Sequence, residues 1–343
     1  GSCRRSTDGG ETTSSIGSTT SQRRNWLTPL VFDPNDPAIM YYAGNIVNRS
    51  VSGGAGGWAA ISPELTDGDP FPGSDEPYPF GTITTVAPAA SNGNTLYVGT
   101  DDAKLWYTHD LGVNWTQSSD PDLPNRWVSR IVVDPTDASV AYATYSGFRN
   151  GDNTPYVFKT VDGGANWDDI TSNLPQAPVN GIALYNDSLI IINDGGVYIS
   201  DNDGVTWDFL GTGLPNVPVM DLRVHAPTNT LHIATFGRGM WKTTIPAPDF
   251  DDDGLVNSAD NCIEVANPDQ CDTNNDGFGN LCDGDLDNNN IVNTFDLNLL
   301  RSAMGSTGSN DADLDCNNIV NSFDLTLMRN MFGKPPGPSG VAP

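Results

Sequence analysis

Residues 108–115 read THDLGVNW, and residues 160–167 read TVDGGANW. Both stretches fit a box of the form S/T-x-D-x-G-x-x-W. Residues 200–207, SDNDGVTW, carry Asn in place of Asp; residues 6–13, STDGGETT, lack the Trp; and around Ser50 to Trp58 the box is badly eroded. The Asp and Ser/Thr side chains of such a box hold a hairpin turn, Gly supplies a positive φ, and Trp packs between neighbouring units. The boxes are therefore interpreted as scaffold.

Between residues 26 and 245 a three-part unit recurs every 40 to 58 residues. Each unit has a strand, a turn rich in Asp, Pro, Asn and Gly, and a second strand. Repetition at this period with almost no helix is typical of propeller blades. We therefore predict a mainly β protein with an Asp-box β-propeller of about five blade units over residues 1–245. The predicted strand pairs are 30–32 with 40–42, 83–86 with 96–98, 131–133 with 140–143, 182–184 with 189–191, and 220–224 with 231–234.

The boxes resemble the Asp-box, or BNR, repeats of sialidases, sortilin-type receptors and propeller-built xyloglucan-cleaving glycoside hydrolases. The resemblance is strongest to bacterial sortilin-like propeller proteins and covers roughly residues 3 to 245. It implies a β-propeller fold, and its relation to hydrolases concerns the fold more than any site. Four further stretches carry it: Asn25-Trp26-x-Thr28-Pro29, residues 60–66 (AISPELT), residues 99–102 (GTDD) and residues 236–241 (FGRGMW).

The chain is strongly acidic, with 43 Asp and Glu against 16 Lys and Arg and a net charge of −27. Seventeen of the acidic residues lie between Asp249 and Gly333, where Arg301 and Arg329 are the only basic residues. This charge argues against nucleic acid and anionic membranes as partners and favours cations. No apolar run approaches a membrane span, and no signal-peptide pattern opens the sequence, so export information is expected upstream or already removed.

Five cysteines are present, and four of them lie inside the acidic segment: Cys262, Cys271, Cys282 and Cys316. The fifth is Cys3. Spacings of nine, eleven and 34 residues differ from the C-x₂₋₄-C pattern of a zinc site. Disulfides in an oxidising compartment are the better interpretation, which predicts a secreted or cell-surface protein.

After the Pro-rich linker at residues 246–248 the sequence contains four copies of a twelve-residue pattern that suits Ca²⁺. Such a loop offers oxygens from positions 1, 3, 5, 7 through its carbonyl, 9 often through water, and 12. Position 6, where the chain turns sharply, holds Gly254, Gly277, Asn290 and Asn318, and Asn tolerates the left-handed backbone. We predict about four Ca²⁺ sites, with these ligands: Asp249, Asp251, Asp253, Leu255, Asn257 and Asp260; Asp272, Asn274, Asp276, Phe278, Asn280 and Asp283; Asp285, Asp287, Asn289, Ile291, Asn293 and Asp296; Asp313, Asp315, Asn317, Ile319, Asn321 and Asp324.

Loops one and two, within residues 246–284, resemble thrombospondin type 3 repeats. The resemblance is carried by Asp260-Asn261-Cys262, Asn267-Pro268-x-Gln270 and the Asp272 to Asp283 stretch. It implies that bound calcium and disulfides order a segment with little apolar core, and it suggests a pair between Cys262 and Cys282. A second pair, Cys271 with Cys316, is a guess.

Loops three and four, within residues 285–333, form a duplication in which 14 of 21 residues are identical between Asp285–Gly305 and Asp313–Gly333. Each loop precedes an apolar pattern that suits a short helix. The repeated loop and helix resemble a type I dockerin module, whose halves each bind one Ca²⁺ and whose loop positions 10 and 11 contact a cohesin. Here those positions hold one hydroxyl residue and one Phe each, a departure from that family. Residues 334–343, with four prolines, are predicted to be a flexible tail.

No catalytic residue is assigned. The three histidines, His109, His225 and His232, accompany no hydrolase or protease motif. A glycosidase needs two facing carboxylates about 5 to 10 Å apart. Asp33 and Asp134 precede prolines in repeated turns, which favours a structural role, whereas Asp101, Asp102 and Asp221 are candidates for lining a propeller face.

The sequence thus favours a non-catalytic extracellular calcium-binding protein of structural or interaction function, with calcium stiffening its C-terminal arm. A protein partner or self-association is expected, including assembly into a surface or matrix filament. The N-terminal strand either closes the fifth blade or completes a neighbouring molecule's propeller by strand addition. A glycan is a further candidate ligand of the propeller. The alternative function is a secreted glycoside-hydrolase-type propeller with a dockerin-like targeting module.

Overall fold

The computed structural model describes residues 4–15, 22–68 and 79–342, so Cys3 lies outside the described residues. The chain divides into two compact units, Gly1–Ile245 and Pro246–Pro343. Within the described part of the chain, no helix combines the length and apolar character that crossing a membrane requires.

The first unit is a β-propeller of consecutive antiparallel sheets. A hairpin of β1 (Arg4–Arg5) and β2 (Ser14–Ser15) precedes five larger sheets among the described residues, and the strands of each sheet follow chain order from one edge to the other. The sheets are β3 (Leu30–Phe32), β4 (Met40–Ala43), β5 (Val47–Ser50) and β6 (Ala59–Ala60); β7 (Ile83–Pro88), β8 (Leu96–Thr100), β9 (Leu105–Thr108) and β10 (Thr116–Gln117); β11 (Trp127–Val133), β12 (Ala141–Ser146), β13 (Tyr156–Thr160) and β14 (Asp168–Asp169); β15 (Val179–Tyr185), β16 (Ser188–Asn193), β17 (Gly196–Ser200) and β18 (Asp208–Phe209); and β19 (Val219–His225), β20 (Thr230–Thr235) and β21 (Met240–Thr244).

The five strand pairs predicted from the sequence are confirmed as the first two strands of these five sheets in the described chain. Strands β4, β8 and β16, each the second strand of its sheet, are buried at every residue. The apolar clusters lie between successive sheets: one joins Tyr41 to Val98, and the next joins Tyr97 to Phe158. Burial of apolar area between blades is therefore the main stabilising contribution to this unit.

The box turns connect the third strand of a blade to its fourth, except the first, which connects β1 to β2. In every one, the Ser or Thr hydroxyl at box position 1 accepts a hydrogen bond from the backbone N–H at position 5, at 2.7 to 3.3 Å. The eroded copy retains this bond between Ser50 and Gly54. At Gly112 the φ is +87° and a Cβ would lie 2.2 Å from the Ile61 carbonyl oxygen, so the position requires glycine.

Four of the first strands carry a β-bulge at the same position, at Thr84, Ser129, Asn180 and Met220. The first three of these side chains donate hydrogen bonds to a backbone carbonyl of the next blade: Thr84 to Val128 (2.6 Å), Ser129 to Val179 (2.8 Å) and Asn180 to Val219 (3.0 Å). These bonds form an arc of polar contacts around a central channel. They fix the spacing of successive blades where the inner strands are closest.

The second unit is built from loops, short 3₁₀ turns at Asn257–Ala259 and Asn280–Cys282, and two helices, α1 (Thr294–Ala303) and α2 (Ser322–Met331). Its main buried apolar cluster among the described residues is small and includes Val292, Leu300, Leu314 and Met328. Disulfides join Cys262 to Cys282 and Cys271 to Cys316, with Cα–Cα distances of 5.7 and 6.6 Å. The first is the pair that the resemblance suggested, and the second agrees with the guess.

Residues 334–342, expected from the sequence to belong to a flexible tail, make backbone hydrogen bonds with the loops. The tail returns along the loops: Val292 N–H donates to the Lys334 carbonyl (2.9 Å), and Gly340 N–H donates to the Asp260 carbonyl (2.8 Å). The Ser339 hydroxyl also donates to the Gly277 carbonyl at 2.6 Å. Composition suggested a tail without core residues, but here backbone hydrogen bonds rather than apolar burial hold it in place.

Candidate metal centre

The four acidic loops of the second unit share one backbone geometry. In each, the carboxylate at position 1 accepts a hydrogen bond from the backbone N–H at position 6, at 3.0, 3.1, 2.5 and 2.7 Å for loops one to four. Positions 4 and 6 have positive φ in all four loops. At position 6 the glycines of loops one and two lie near +94°, and the asparagines of loops three and four lie near +70°. The same chain reversal is thus made with either residue, as the sequence predicted.

Loops one, three and four gather three carboxylates apiece in the described part of the chain. The clusters are Asp249 with Asp251 and Asp253; Asp285 with Asp287 and Asp296; and Asp313 with Asp315 and Asp324. In each cluster one oxygen from every carboxylate lies within 4.8 Å of the others. Two oxygens on opposite sides of a Ca²⁺ ion, each at 2.3 to 2.6 Å, are about 5 Å apart. The spacing therefore fits three ligands of one such ion.

The carboxylates of loop one also lack sufficient protein partners. Oδ1 of Asp249 and Oδ2 of Asp251 are buried and have no hydrogen-bond partner within the described residues. Burial, followed by the charges of Asp253 and its neighbours, raises the pKa of Asp251 to about 6. Crowded, partly desolvated carboxylates without donors are costly unless a cation compensates them. The residues present therefore fit a bound cation.

Asp260 is a predicted ligand that does not join its cluster. One of its oxygens accepts from the Cys262 N–H at 2.8 Å and from the Gln270 side-chain amide at 2.7 Å. This carboxylate closes the turn that carries the Cys262 disulfide. In the structure loop one thus offers its ion carboxylates from positions 1, 3 and 5 but not from position 12.

Loop two gathers no group of three carboxylates among the described residues. Asn274 donates its side-chain amide to Asp276 at 2.9 Å, and Asp272 accepts the N–H groups of Asn275 and Gly277. Asp283, at position 12, is buried and accepts from the Asp285 N–H at 2.8 Å, and burial raises its pKa to about 7. The predicted ligands of this loop are thus held by hydrogen bonds, Asn274 and Asp276 to each other and Asp272 and Asp283 to backbone N–H groups.

The position 9 asparagines have structural roles that the ligand template does not describe. Asn293 and Asn321 are the N-caps of α1 and α2, and each forms a capping box with the aspartate three residues later. Asn257 accepts from the Phe250 N–H and Asn280 from the Thr273 N–H, at 2.8 and 2.9 Å. The N-x-x-D spacing before each helix was a capping signal in the sequence that ligand counting overlooked.

Asp296 and Asp324 therefore each have two structural roles. Each is fully buried, each belongs to a carboxylate cluster, and each caps its helix by accepting from the position 9 backbone N–H at 2.8 Å. A negative side chain in the first turn also favours the helix dipole. The same side chain caps the helix and belongs to the carboxylate cluster. Order at the start of the helix and order in the cluster therefore depend on each other.

Loops two and four are tied together. Besides the Cys271–Cys316 disulfide, the Asn280 amide donates to the Asp313 carbonyl at 3.0 Å and the Thr273 hydroxyl donates to Asp311 at 2.6 Å. These contacts join residues 246–284 and 285–333 within one compact unit.

In the first unit, carboxylates considered for catalysis are held by neighbours. Asp33 accepts from the Tyr41 hydroxyl (2.9 Å), and Asp134 accepts from the Thr136 N–H (2.7 Å). Asp101 is buried and accepts from the N–H groups of Phe80 and Thr82 and from the Thr82 hydroxyl. These hydrogen bonds stabilise turns, as the proline-flanked pattern suggested for Asp33 and Asp134.

Asp221 does line the channel, as predicted for a propeller face. It accepts from Arg130 at 2.6 Å and from Arg223 at 2.8 Å. Arg130 lies 91 residues earlier in the sequence, on the first strand of another blade. Sequence reasoning missed this ion pair because no local signal links the two positions.

No protein-family model and no curated protein match the chain. Among solved structures, an ancestral GH74 enzyme is 18% identical with a TM-score of 0.48, covering 60% of this chain and 27% of its own. The GH74 xyloglucanase from Xanthomonas campestris is 16% identical with a TM-score of 0.47, covering 64% of this chain and 38% of its own. The Cps50 (Swd1) β-propeller domain from Myceliophteria thermophila is 12% identical with a TM-score of 0.49, covering 66% of each chain.

This chain thus spans about a third of the length of the two GH74 proteins. At these identities and TM-scores no activity follows for it from those proteins. The structure itself gives a mainly β chain with a β-propeller unit. Its second unit has acidic clusters with the spacing of a metal site.

Proposed function

We propose that this chain is a non-catalytic extracellular calcium-binding protein of structural or interaction function. About four Ca²⁺ ions, one per loop, order and stiffen the second unit. The observation that carries the proposal is the loop geometry, in which the same turn occurs four times and three of the four loops gather carboxylates within the described residues.

The donor set favours a hard cation. Every predicted ligand is a carboxylate, an amide oxygen or a backbone carbonyl, and the four cysteines of this unit are consumed in disulfides. Oxygen-only sites suit Ca²⁺ or Mg²⁺ rather than zinc or copper. Irregular loops with carboxylates at alternating positions suit the larger and geometrically more tolerant ion, Ca²⁺.

A stabilising role follows from what the second unit lacks. Its apolar cluster is small, while residues 246–343 carry 17 acidic and 3 basic residues. Small domains with limited cores depend on disulfides or metals for stability. Binding of cations to the folded loops relieves carboxylate repulsion and adds its free energy to folding.

An extracellular location is supported by the two disulfides, one of which involves the buried Cys262 and Cys282. Disulfides form and persist in oxidising compartments. Extracellular calcium is also abundant enough to fill loops of modest affinity, which extracellular modules typically contain.

Two exposed surfaces are suited to an interaction role. Phe295 and Phe323, at equivalent positions of the duplicated loops, are 69% and 57% exposed, which suits contact with a protein partner. In the first unit, β21 has no outer partner strand within the described residues, although the four preceding sheets have a short fourth strand there. We propose that a strand of a second molecule pairs with β21, which would allow chains to assemble.

The alternative, a glycoside hydrolase with a targeting module, would need two free carboxylates facing a cleft. Asp221 and Asp194 both line the channel, but Asp221 is paired with two arginines and Asp194 accepts from the Asn180 amide at 2.8 Å. No observation in the first unit favours hydrolysis over binding.

The proposal is tested by calcium stoichiometry with hydrogen exchange. Equilibrium dialysis should find about four ions bound per chain, with weaker binding of Mg²⁺. Chelation should accelerate backbone exchange across residues 246–342 and leave the sheets of the first unit unchanged. Fewer than two bound ions, or unchanged exchange in the second unit, would reject the calcium role.

Self-association is tested separately by light scattering of the full chain at rising concentration, with Ca²⁺ present. Strand pairing at β21 predicts concentration-dependent assembly that a Trp241→Pro variant loses, because proline cannot join the strand ladder. A monodisperse monomer at high concentration would reject assembly while leaving the calcium proposal intact.

A further inference from the structure

The central channel of the first unit is a large cavity that the proposed function does not use. Its volume is about 1370 Å³, and it is lined by the first strands of the blades and the loops beside them. Pockets for small ligands are typically about 300 to 1,000 Å³. The channel is therefore large enough for a short polymer rather than one small molecule.

Apolar side chains that line this channel remain exposed at its rim. Trp26 is 94% exposed, Phe148 68% and Phe236 70%, although they come from loops of three different blades. Large exposed aromatic side chains that converge on one opening mark a binding surface. Their faces are open rather than enclosed in side-chain pockets, so they suit flat apolar surfaces such as the C–H faces of sugar rings.

The charge inside the channel contrasts with that of the rest of the unit. Residues 1–245 hold 26 acidic and 13 basic residues, yet the channel lining contains Arg130, Arg149 and Arg223 against Asp194 and Asp221. The acidic surface around the channel disfavours nonspecific binding of a negatively charged ligand elsewhere on the unit. The arginines in the channel lining therefore favour binding of acidic groups at this one place.

Two of these arginines share one carboxylate oxygen. Nη2 of Arg130 lies 2.6 Å and Nη1 of Arg223 lies 2.8 Å from Oδ1 of Asp221, so two positive charges meet one negative charge. Within the described residues the Arg130 guanidinium makes this single hydrogen bond, although a guanidinium has five N–H donors. Burial lowers the pKa of Arg130. Such a pair is suited to a second carboxylate.

We propose that the channel binds an acidic oligosaccharide, a short chain of uronic acid residues. The sugar rings pack against Trp26 and Phe148 at the rim, and one uronate carboxylate takes the remaining donors of Arg130 and Arg223. An acidic peptide would supply the carboxylate, but its side chains would find open ring faces instead of pockets. This site lies within the first unit and does not depend on the proposed calcium role.

The test is isothermal titration of the full chain with galacturonic acid hexamers, in EDTA so that calcium cannot bridge protein and ligand. We expect saturable binding that weakens with salt, and binding of the neutral glucose hexamer at least about tenfold weaker, as loss of a charge-assisted pair predicts. No uronate binding, or equal affinity for the neutral hexamer, would overturn the proposal.

Substitutions test whether the uronate binds in the channel. Trp26→Ala and Arg223→Gln change exposed side chains and should each weaken uronate binding by about tenfold or more. Phe323→Ala and Arg301→Gln, which remove an exposed aromatic side chain and an arginine charge from the second unit, should leave uronate binding within about twofold. Equal effects of both pairs would contradict the channel assignment, as would a hexa-aspartate peptide binding more tightly than the uronate.

Discussion

Cys271 and Cys316 form a disulfide that joins the second acidic loop to the fourth across 45 residues of sequence. The bridge connects two segments that resemble different repeat families in sequence. It holds loops two and four together within the second unit.

Removing this bridge should destabilise the second unit selectively. A loop of 45 residues corresponds to about 4 kcal/mol of chain entropy in the unfolded state. In a Cys271→Ser/Cys316→Ser variant we expect the unfolding free energy of the second unit to fall by up to this amount, as measured by denaturant unfolding in EDTA. An unchanged second unit, or an equal loss in the propeller, would show that the bridge does not constrain these loops.

Asp287→Asn should have opposite effects with and without calcium. The Asp287 carboxylate is exposed and belongs to the loop three cluster; desolvation and the charges of Asp296 and Asp285 raise its pKa. Without metal, neutralisation relieves repulsion and should raise the midpoint of thermal unfolding. With Ca²⁺, loss of a charged ligand should weaken one site by about tenfold or more, because ligand charge sets affinity.

The matched control for Asp287→Asn is Glu264→Gln, which removes the same charge from an exposed residue of the same unit. It should shift both midpoints only slightly. A shift of the same sign for Asp287→Asn with and without calcium would argue that loop three is not a metal site.

The box aspartates should contribute acid sensitivity to the propeller. Hydrogen bonds from Asn166 and Thr160 lower the pKa of Asp162. A lowered folded-state pKa means that the unfolded chain binds the proton first, so this stabilisation is present above about pH 4 and is lost as pH falls through the folded pKa. Asp162→Asn should flatten the decline of the melting temperature between neutral pH and pH 3.

Asn202 occupies the equivalent place in the next box and still accepts the Thr206 N–H at 2.9 Å, so an uncharged residue is compatible with the turn. Asp208→Asn, an exposed change in β18, is the control and should leave the pH profile unchanged. If both variants follow the wild-type pH profile, the box carboxylates do not determine acid sensitivity.

The contacts between inner strands predict a cost for Ser129→Ala. Its hydroxyl donates to the Val179 carbonyl of the next blade, and Val179 is fully buried. Leaving this acceptor unpaired should cost about 1 to 3 kcal/mol of unfolding free energy in the propeller. Met220→Leu, at the bulge whose side chain cannot donate, should cost much less, and equal losses would show that the hydrogen bond is not what matters.

The sequence predicted the repeated features well because each is local. The box turns, the five strand pairs and the four loop turns depend on side chains within about a dozen residues of one another. The eroded box at Ser50 kept its turn bond to Gly54 because the hydroxyl and the glycine, not the Asp or Trp, make that bond.

Contacts between residues far apart in the chain could not be predicted from the sequence. The Arg130–Asp221 ion pair joins strands of different blades, and the docking of residues 334–342 depends on backbone bonds that composition does not reveal. The ligand template also does not include Gln270, whose amide donates to one oxygen of the Asp260 carboxylate. Where a side chain has two local uses, spacing alone does not say which one it takes.

The most direct test of the calcium-stabilised second unit is scanning calorimetry of the full chain in excess Ca²⁺ and in EDTA. Saturating four sites at a hundredfold excess over Kd adds about 2.7 kcal/mol for each site. We predict that the transition of the second unit rises by more than about 10 °C with calcium, while the propeller transition stays fixed. Superimposable thermograms in calcium and EDTA would contradict the account.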